Sequence, residues 1–231
     1  MKTDMEWGLQ WQGKCCYAYG TSLTSATWGN YVPWLAQLSG LKIVNRGIPA
    51  EGITNLGGCS TGKVKEAILT LEDGKADADL ILLEVGANDN GPVGDLFDTG
   101  DDTFSGCLNQ CLRYLLKNTD AQIVVIPSTV ITDAPETAKY YYQLLLQAEA
   151  VCKLNRVYFL GHADGLGQAR ISKDPRFVWD NVHQTPLGGY NRALSIWSQL
   201  KDVPCFFSSL PDDLSLPAGC PSIKTPLKQE E

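Results

Sequence analysis

The stretch ADLILLEVG (78–86) decides the fold class of this 231-residue chain. Apolar residues follow one another almost without interruption there, and they do not alternate with polar ones as in a half-exposed strand. A continuous apolar run of this length is typical of a strand that is covered on both faces, as in a parallel sheet between two layers of helices. We therefore predict a central strand at residues 78–86.

Further apolar runs extend this prediction to a five-stranded sheet. They are KCCYAYG (14–20), LKIVNRG (41–47), AQIVVIPS (121–128) and RVYFLG (156–161). Between the runs, amphipathic patterns predict helices at roughly 28–38, 61–73, 103–118, 134–154 and 186–201. Strands that alternate with helices over short connections predict an α/β fold, a three-layer α/β/α sandwich around a parallel sheet.

Length and composition predict one domain followed by a tail. The 44% hydrophobic content can fill one sizeable core, which we place within residues 1–203. Residues 204–231 carry five prolines and no clear period, so we expect an irregular Pro/Ser-rich tail.

The charge balance argues against a nucleic-acid partner. The chain has 19 basic and 26 acidic residues and no Lys/Arg cluster, whereas duplex binding needs a basic face. No apolar run approaches the roughly 20 residues that span a bilayer, and the polar N-terminus does not resemble a secretory signal. We expect a cytoplasmic protein without a transmembrane segment.

Eight cysteines do not form a zinc-binding pattern. Cys107 and Cys111 share a predicted helix face, but neither a histidine nor a second cysteine pair accompanies them, and structural zinc takes four ligands. We predict no metal and no cofactor, and buried free thiols in a reducing compartment. Cys205 and Cys220 are the only pair worth testing for a disulfide.

Polar, glycine-containing loops follow the first three predicted strands. They contain GTSLT (20–24), NRGIPAEG (45–52) and GANDNGPVGD (86–95). Because functional residues of a parallel α/β sheet gather at the carboxyl ends of its strands, we expect these loops to lie together at one edge.

Ser22 is a candidate nucleophile, and His183 is the candidate base. A serine hydroxyl needs a neighbouring base to act as a nucleophile. Asp180 precedes His183 by three residues, close enough in a tight turn to bind the imidazole Nδ1–H and fix its tautomer. The alternative is that Asp180 and His183 only cap the last helix, and these residues alone do not decide between the two. The other histidine, His162, has no comparable setting, and we expect it to have a loop or structural role.

Three groups near the same edge are candidate donors to an oxyanion. They are the Ser22 backbone N–H, a backbone N–H of the 45–52 loop and the Asn88 side-chain amide. Asn88 alone has another interpretation, since asparagine favours turns. We expect Thr24 and Ser25 to cap a helix rather than to act in catalysis.

These motifs resemble those of the GDSL/SGNH hydrolase family in order and approximate spacing, over about residues 14–203. The motifs are GTSLT (20–24), NRGIPAEG (45–52), GAND (86–89) and DNVHQT (180–185).

The resemblance implies a flavodoxin-like α/β/α sandwich that hydrolyses esters or thioesters. It implies Ser22 as nucleophile, His183 as base and Asp180 as the group that orients the base. The oxyanion donors carried over are the Ser22 N–H, the Ala50 N–H and the Asn88 side chain.

The chain departs from the family pattern at two positions. Thr21 stands where the family usually has aspartate, and we expect this to change how the serine turn is anchored. Ala50 stands where the family usually has glycine; alanine supplies the same N–H but is strained if the position requires a positive φ. If this loop is shifted, Gly47 or Gly52 donates instead.

A competing motif is GGCSTGK (57–63), which fits the spacing of a phosphate-binding P-loop. Val64 follows it, where a P-loop has the serine or threonine that holds magnesium, and no apolar strand directly precedes it. We predict a helix N-terminus here instead.

Taken together, the sequence predicts a serine esterase acting on a small-molecule or carbohydrate ester, with a short acyl group such as acetyl. Trp28, Trp34 and Trp179 lie near the motifs and either stack on a sugar or pack in the core. Two alternatives stay open: an acyltransferase in which a sugar alcohol replaces water, and a non-catalytic glycan- or ligand-binding module on the same fold.

Overall fold

The structure is a computed structural model that describes residues 9–25, 30–71, 77–128, 134–161, 174–180 and 182–205. A short 3-10 helix, Leu9–Trp11, precedes the sheet. The strands are β1 (Cys15–Gly20), β2 (Lys42–Gly47), β3 (Leu80–Val85), β4 (Gln122–Pro127) and β5 (Tyr158–Phe159). The helices are α1 (Ser22–Ser25), α2 (Val32–Ser39), α3 (Lys63–Thr70), α4 (Phe104–Asn118), α5 (Pro135–Leu154) and α6 (Pro186–Leu200).

The described strands form a single parallel sheet in the order β2-β1-β3-β4-β5. The predicted fold class is confirmed: a five-stranded parallel sheet with helices on both sides. In this strand order the chain runs outward in both directions from β1 and β3. The crevice beyond the carboxyl ends of those two strands is the topological switch point, where open α/β sheets bind their ligands.

Two hydrophobic layers enclose the sheet, and β3 contributes to both. Ile81 and Leu83 pack with α3, α4 and α5, whereas Leu80 and Leu82 pack with α2 and α6. All four side chains are fully buried, which is the physical basis of the apolar run at 80–83.

The predicted strands agree closely with the observed ones, except at the edge. The prediction of a strand at 156–161 was too long, because only Tyr158–Phe159 pair with β4. Helix α5 begins at Pro135, where a missing N–H is harmless, and α2 ends at Gly40 with a φ of 71°.

The cysteines at 107, 111 and 152 are buried core residues. Cys220 and residues 206–231 lie outside the described part of the chain, so the possible pair with Cys205 and the predicted tail stay predictions. Within the described residues, no helix is long and apolar enough to cross a membrane. Those same residues contain no group of three or more His, Cys, Asp or Glu side chains placed to hold a metal ion.

Candidate active site

Ser22 is the first residue of α1, directly beyond the carboxyl end of β1. The Thr21 hydroxyl caps this short helix by accepting the Leu23 N–H at 3.1 Å. Within the described residues, the Ser22 N–H has no intramolecular acceptor, as expected for the first residue of a helix. Ser22 therefore presents both a hydroxyl and a backbone donor at the edge of the sheet.

The imidazole of His183 lies between Ser22 and Asp180. Its Nε2 is 3.0 Å from Ser22 Oγ, and its Nδ1 is 2.9 Å from Asp180 Oδ2. Asp180 is itself oriented by its own loop, because its Oδ1 accepts the N–H groups of Val182 and His183 at 2.7 and 2.6 Å. The structure thus brings the three predicted residues together in a hydrogen-bonded row.

The helix that follows does not use Asp180 or His183 as its cap. Thr185 is the N-cap of α6, and its hydroxyl accepts the Gly188 N–H at 3.1 Å. The capping interpretation of Asp180 and His183 is therefore wrong.

Asp180 stays ionised more readily than an isolated aspartate. Burial acts to raise its pKa, but the hydrogen bonds from the His183 ring and from the two backbone N–H groups outweigh burial and hold the pKa below its ordinary value. An ionised Asp180 can accept the Nδ1–H of the imidazole and so orient the ring of His183.

Among the candidate donors of the second loop, the Ala50 N–H is the one that remains unoccupied within the described residues. The Gly47 N–H is bonded to Asn45 Oδ1 at 2.9 Å, and the Gly52 N–H is bonded to Ser60 Oγ at 2.9 Å. The Ala50 N–H has no intramolecular acceptor within the described residues. Ala50 has a left-handed φ of 62°, a conformation that glycine adopts more easily.

Asn88 follows β3 and reaches across to the same loop. Its Nδ2 donates to the Glu51 carbonyl at 3.1 Å, next to Ala50. The amide has a second N–H, so this hydrogen bond fixes the side chain and leaves one donor available. The predicted donors Ser22, Ala50 and Asn88 all follow strands at the carboxyl edge of the sheet.

The buried Asp89 ties the second and third loops together. Its Oδ1 accepts the N–H groups of Ile53 and Thr54 at 2.8 and 3.0 Å, and its Oδ2 accepts the Gly86 N–H at 2.8 Å. Burial raises the pKa of Asp89 above its ordinary value, while these donors act in the opposite direction. Apart from the acid in GAND, nothing in the sequence indicates this role.

Two tyrosines of α5 hold the Asn88 loop from outside. Tyr140 donates to the carbonyls of Asp89 and Gly91 at 3.3 and 3.1 Å, and Tyr141 donates to the Ala87 carbonyl at 3.3 Å. Burial raises the pKa of Tyr140 to about 12, so its hydroxyl remains a donor at neutral pH. Sequence reasoning missed both residues, because a tyrosine in a helix does not reveal which loop it contacts.

Thr24 and Ser25 cap none of the described helices, so the capping prediction is wrong for this part of the chain. Thr24 Oγ1 donates to Glu84 Oε2 at 2.6 Å and lies 3.2 Å from the Tyr31 hydroxyl. Ser25 Oγ is buried and, among the described residues, has no hydrogen-bond partner. The buried carboxylate of Glu84 is the stronger acceptor for Thr24.

In the P-loop-like segment at 57–63, backbone N–H groups already donate to side chains of the protein. The Glu51 carboxylate accepts the Thr61 N–H at 2.7 Å and the Lys63 N–H at 3.4 Å, and Ser60 Oγ accepts the Gly62 N–H at 3.2 Å. Since those N–H groups would have to cradle a phosphate, the predicted helix N-terminus is the correct interpretation.

The tryptophans near the motifs differ in setting. Trp34 is half-buried and packs edge-to-face against Tyr190, with ring centroids 5.5 Å apart. These two rings line a groove of about 360 Å³ together with Pro186 and Leu187 of α6. Trp179 precedes Asp180 and is 61% exposed. Trp28 and His162 lie outside the described residues.

No protein-family model matches the chain, and no curated protein matches it. Solved structures do match. A protein from Lactobacillus plantarum aligns with a TM-score of 0.64 at 20% identity, over 82% of this chain and 97% of that one. An acetylxylan esterase from Geobacillus stearothermophilus aligns with a TM-score of 0.60 at 15% identity, over 84% and 96%.

An α/β hydrolase enzyme from the metagenome of Lake Arreo aligns with a TM-score of 0.58 at 12% identity, over 81% of this chain and 94% of that one. The matching structures also include catalytic mutants of the acetylxylan esterase, one changed at a serine and one at a histidine. At these identities the likeness establishes the fold.

Proposed function

We propose that this chain is a serine esterase that hydrolyses short-chain carboxylic esters, with acetyl groups on a carbohydrate as the favoured substrate class. The observation that carries the proposal is the hydrogen-bonded row from Ser22 through His183 to Asp180, with contacts of 3.0 and 2.9 Å. Its position at the switch point of the sheet supports a catalytic rather than a structural role.

In the proposed cycle, Ser22 Oγ attacks the ester carbonyl while His183 Nε2 accepts the hydroxyl proton. Asp180 holds the Nδ1–H and stabilises the imidazolium. His183 then protonates the departing alcohol. It later activates a water molecule that releases the acid from Ser22.

The carbonyl oxygen becomes negatively charged in both tetrahedral intermediates. The N–H groups of Ser22 and Ala50 and the free amide hydrogen of Asn88 are the proposed donors to this oxygen. Because these donors are fixed before substrate binds, little reorganisation is needed when the charge develops. The hydrogen bond from Asn88 to the Glu51 carbonyl supports this preorganisation.

The substrate class rests on two supports. One of the solved structures with this fold is an acetylxylan esterase whose catalytic mutants include a serine and a histidine change. In this chain, the exposed ring of Trp179 lies next to Asp180 in sequence, where an aromatic surface suits the apolar face of a sugar.

The test combines covalent labelling with turnover. We expect a fluorophosphonate to modify Ser22, as located by peptide mass mapping, and p-nitrophenyl acetate to be hydrolysed faster than longer acyl esters. Ser22→Ala and His183→Ala should lose both activities. Ser25→Ala is the matched control, since this hydroxyl lies on the same short helix and has no hydrogen-bond partner among the described residues.

Full esterase activity in Ser22→Ala would refute the proposal. Absence of any adduct on folded protein would favour a binding module instead. Acetate release from acetylated xylan tests the substrate class. Product analysis with an added sugar alcohol separates hydrolysis from acyl transfer.

A further inference from the structure

A buried carboxylate lies directly behind the proposed nucleophile. Glu84 is in β3, within the apolar run that forms the centre of the sheet, and its side chain is fully buried. The proposed catalytic cycle assigns it no role. Burying a charge is unfavourable unless hydrogen bonds and a counter-charge compensate it, so its surroundings need an explanation.

The carboxylate binds the residues on both sides of Ser22. Glu84 Oε1 accepts the Thr21 hydroxyl at 3.0 Å, and Oε2 accepts the Thr21 N–H at 3.0 Å and the Thr24 hydroxyl at 2.6 Å. Thr21 and Thr24 precede and follow Ser22 in the same turn, so the carboxylate fixes the backbone that carries the serine. Among the described residues, the hydrogen bonds to these two oxygens come from that turn.

Gly20 allows this close approach. A Cβ atom built on Gly20 would lie 2.4 Å from Glu84 Oε2 and 2.4 Å from Thr24 Oγ1. Any larger residue would push the carboxylate away from α1. Gly20 is therefore required for space, and its φ lies outside the left-handed region.

Arg192 of α6 supplies the counter-charge. Its side chain is 1% exposed, and Nη2 lies 3.9 Å from Glu84 Oε1 and donates to the Pro127 carbonyl at 3.0 Å. The guanidinium also lies 5.0 Å from the centre of the Tyr31 ring, and the Tyr31 hydroxyl contacts Thr24. The network joins α1, β3, β4 and α6. It also includes Tyr31, which directly precedes α2.

A buried ion pair of this kind is an inefficient way to stabilise a fold, because apolar residues of similar volume often do as well or better. A carboxylate has a different advantage here. Both of its oxygens accept hydrogen bonds, whereas an amide would present N–H groups to donors of the Ser22 turn.

We propose that Glu84 is a positioning residue for Ser22: its carboxylate, neutralised by Arg192, fixes α1 so that Ser22 Oγ stays within reach of His183. This inference rests on the proposed function. It predicts that disturbing Glu84 slows the chemical step while substrate binding is little changed.

The test measures Glu84→Gln at a temperature where circular dichroism shows it to be folded. We expect kcat for p-nitrophenyl acetate to fall by at least about tenfold. KM should stay within about twofold, because Glu84 makes no proposed contact with the substrate. The rate of fluorophosphonate labelling at Ser22 should fall by a similar factor.

Leu82→Ala is the matched control for lost stability. Leu82 is fully buried two residues earlier on the same face of β3, and the replacement leaves a cavity. It should lower the Tm while kcat and the labelling rate of the folded protein stay within about twofold of wild type. If Glu84 has only a structural role, Glu84→Gln should behave as Leu82→Ala does, with a lower Tm and unchanged kcat and labelling rate.

Thr24→Val keeps the inference testable if Glu84→Gln does not fold. It removes one hydrogen bond to the carboxylate, keeps the side-chain shape and leaves Arg192 paired. A kcat and a labelling rate at least about threefold lower, with KM unchanged, support the inference. Wild-type rates in the folded variants would overturn it. If the wild-type protein neither hydrolyses esters nor labels at Ser22, the proposed function itself fails.

Discussion

Replacing Thr21 with aspartate introduces the residue that usually stands here in the family the chain resembles, and we expect the variant to become less stable as the pH rises. Thr21 is fully buried, and its hydroxyl oxygen lies 3.0 Å from Glu84 Oε1. In Thr21→Asp, two carboxyl groups therefore meet in a buried site that holds one counter-charge, Arg192.

The structure sets the size of the effect. Two carboxylates about 4 Å apart repel by about 4 kcal/mol at an effective dielectric constant of about 20. The folded variant avoids this repulsion by keeping a proton on the introduced aspartate, and the unfolded chain releases that proton at about pH 4. Because the folded state then binds more protons than the unfolded state, stability falls with rising pH, mostly between about pH 4 and about pH 7.

The assay is urea unfolding of Thr21→Asp and Thr21→Asn, followed by tryptophan fluorescence at about pH 5 and about pH 8. Asparagine has the same shape without the charge, so the difference between the variants isolates the repulsion. We expect that difference to grow by about 2–4 kcal/mol over this range. It should largely disappear when both are made in a Glu84→Gln background. A difference that is independent of pH would refute the inferred contact between the two acids.

Other predictions concern Asp180 beside the proposed base, Ala50 in the second loop, and Asp79 directly before β3. Asp180→Asn removes the acceptor for the His183 Nδ1–H, and kcat for p-nitrophenyl acetate should fall on the order of 10³–10⁴-fold; a loss below tenfold would contradict its orienting role. Ala50→Gly keeps the N–H and relieves the left-handed φ, so kcat should stay within about twofold and the free energy of unfolding within about 1 kcal/mol in urea titrations. Burial opposes the low pKa of Asp79, but the hydrogen bonds from Lys14 and a backbone N–H prevail. Asp79→Asn should therefore destabilise by about 0.5 kcal/mol at neutral pH, and urea titrations should show that difference vanishing as the pH falls below the ordinary value of 3.8.

The central strands could be predicted because they are buried on both faces. Residues 80–85 and 122–127 are buried throughout, so their apolar runs identify them as strands without any information about their partners. The fifth strand was predicted too long because an edge strand has one partner, and the pairing with Val124 and Val125 determines its length. The sequence of residues 156–161 contains no signal for that limit.

The candidate site was predictable from the positions of polar residues after strands. Ser22 and Asn88 were placed at one edge by topology, whereas the Asp180–His183 pair was predicted from its spacing. The structure puts Ser22 and Asp180 on either side of His183. The role proposed for Glu84 was not predictable. An acid inside an apolar run has no identifiable partners until packing brings a threonine hydroxyl and an arginine to it, and for the same reason Thr24 was misinterpreted as a cap.

The contacts that the His183 ring makes with Asp180 and Ser22 span very different lengths of chain. Its contact with Asp180 closes a loop of three residues, whereas its contact with Ser22 joins residues 161 apart. The short loop has a small closure entropy and forms early, but the long one requires the first strand and the last helix to reach the same sheet edge. A refolding chain would therefore be expected to form the Asp180–His183 contact well before the Ser22–His183 contact, and formation of the latter would mark the closure of the fold.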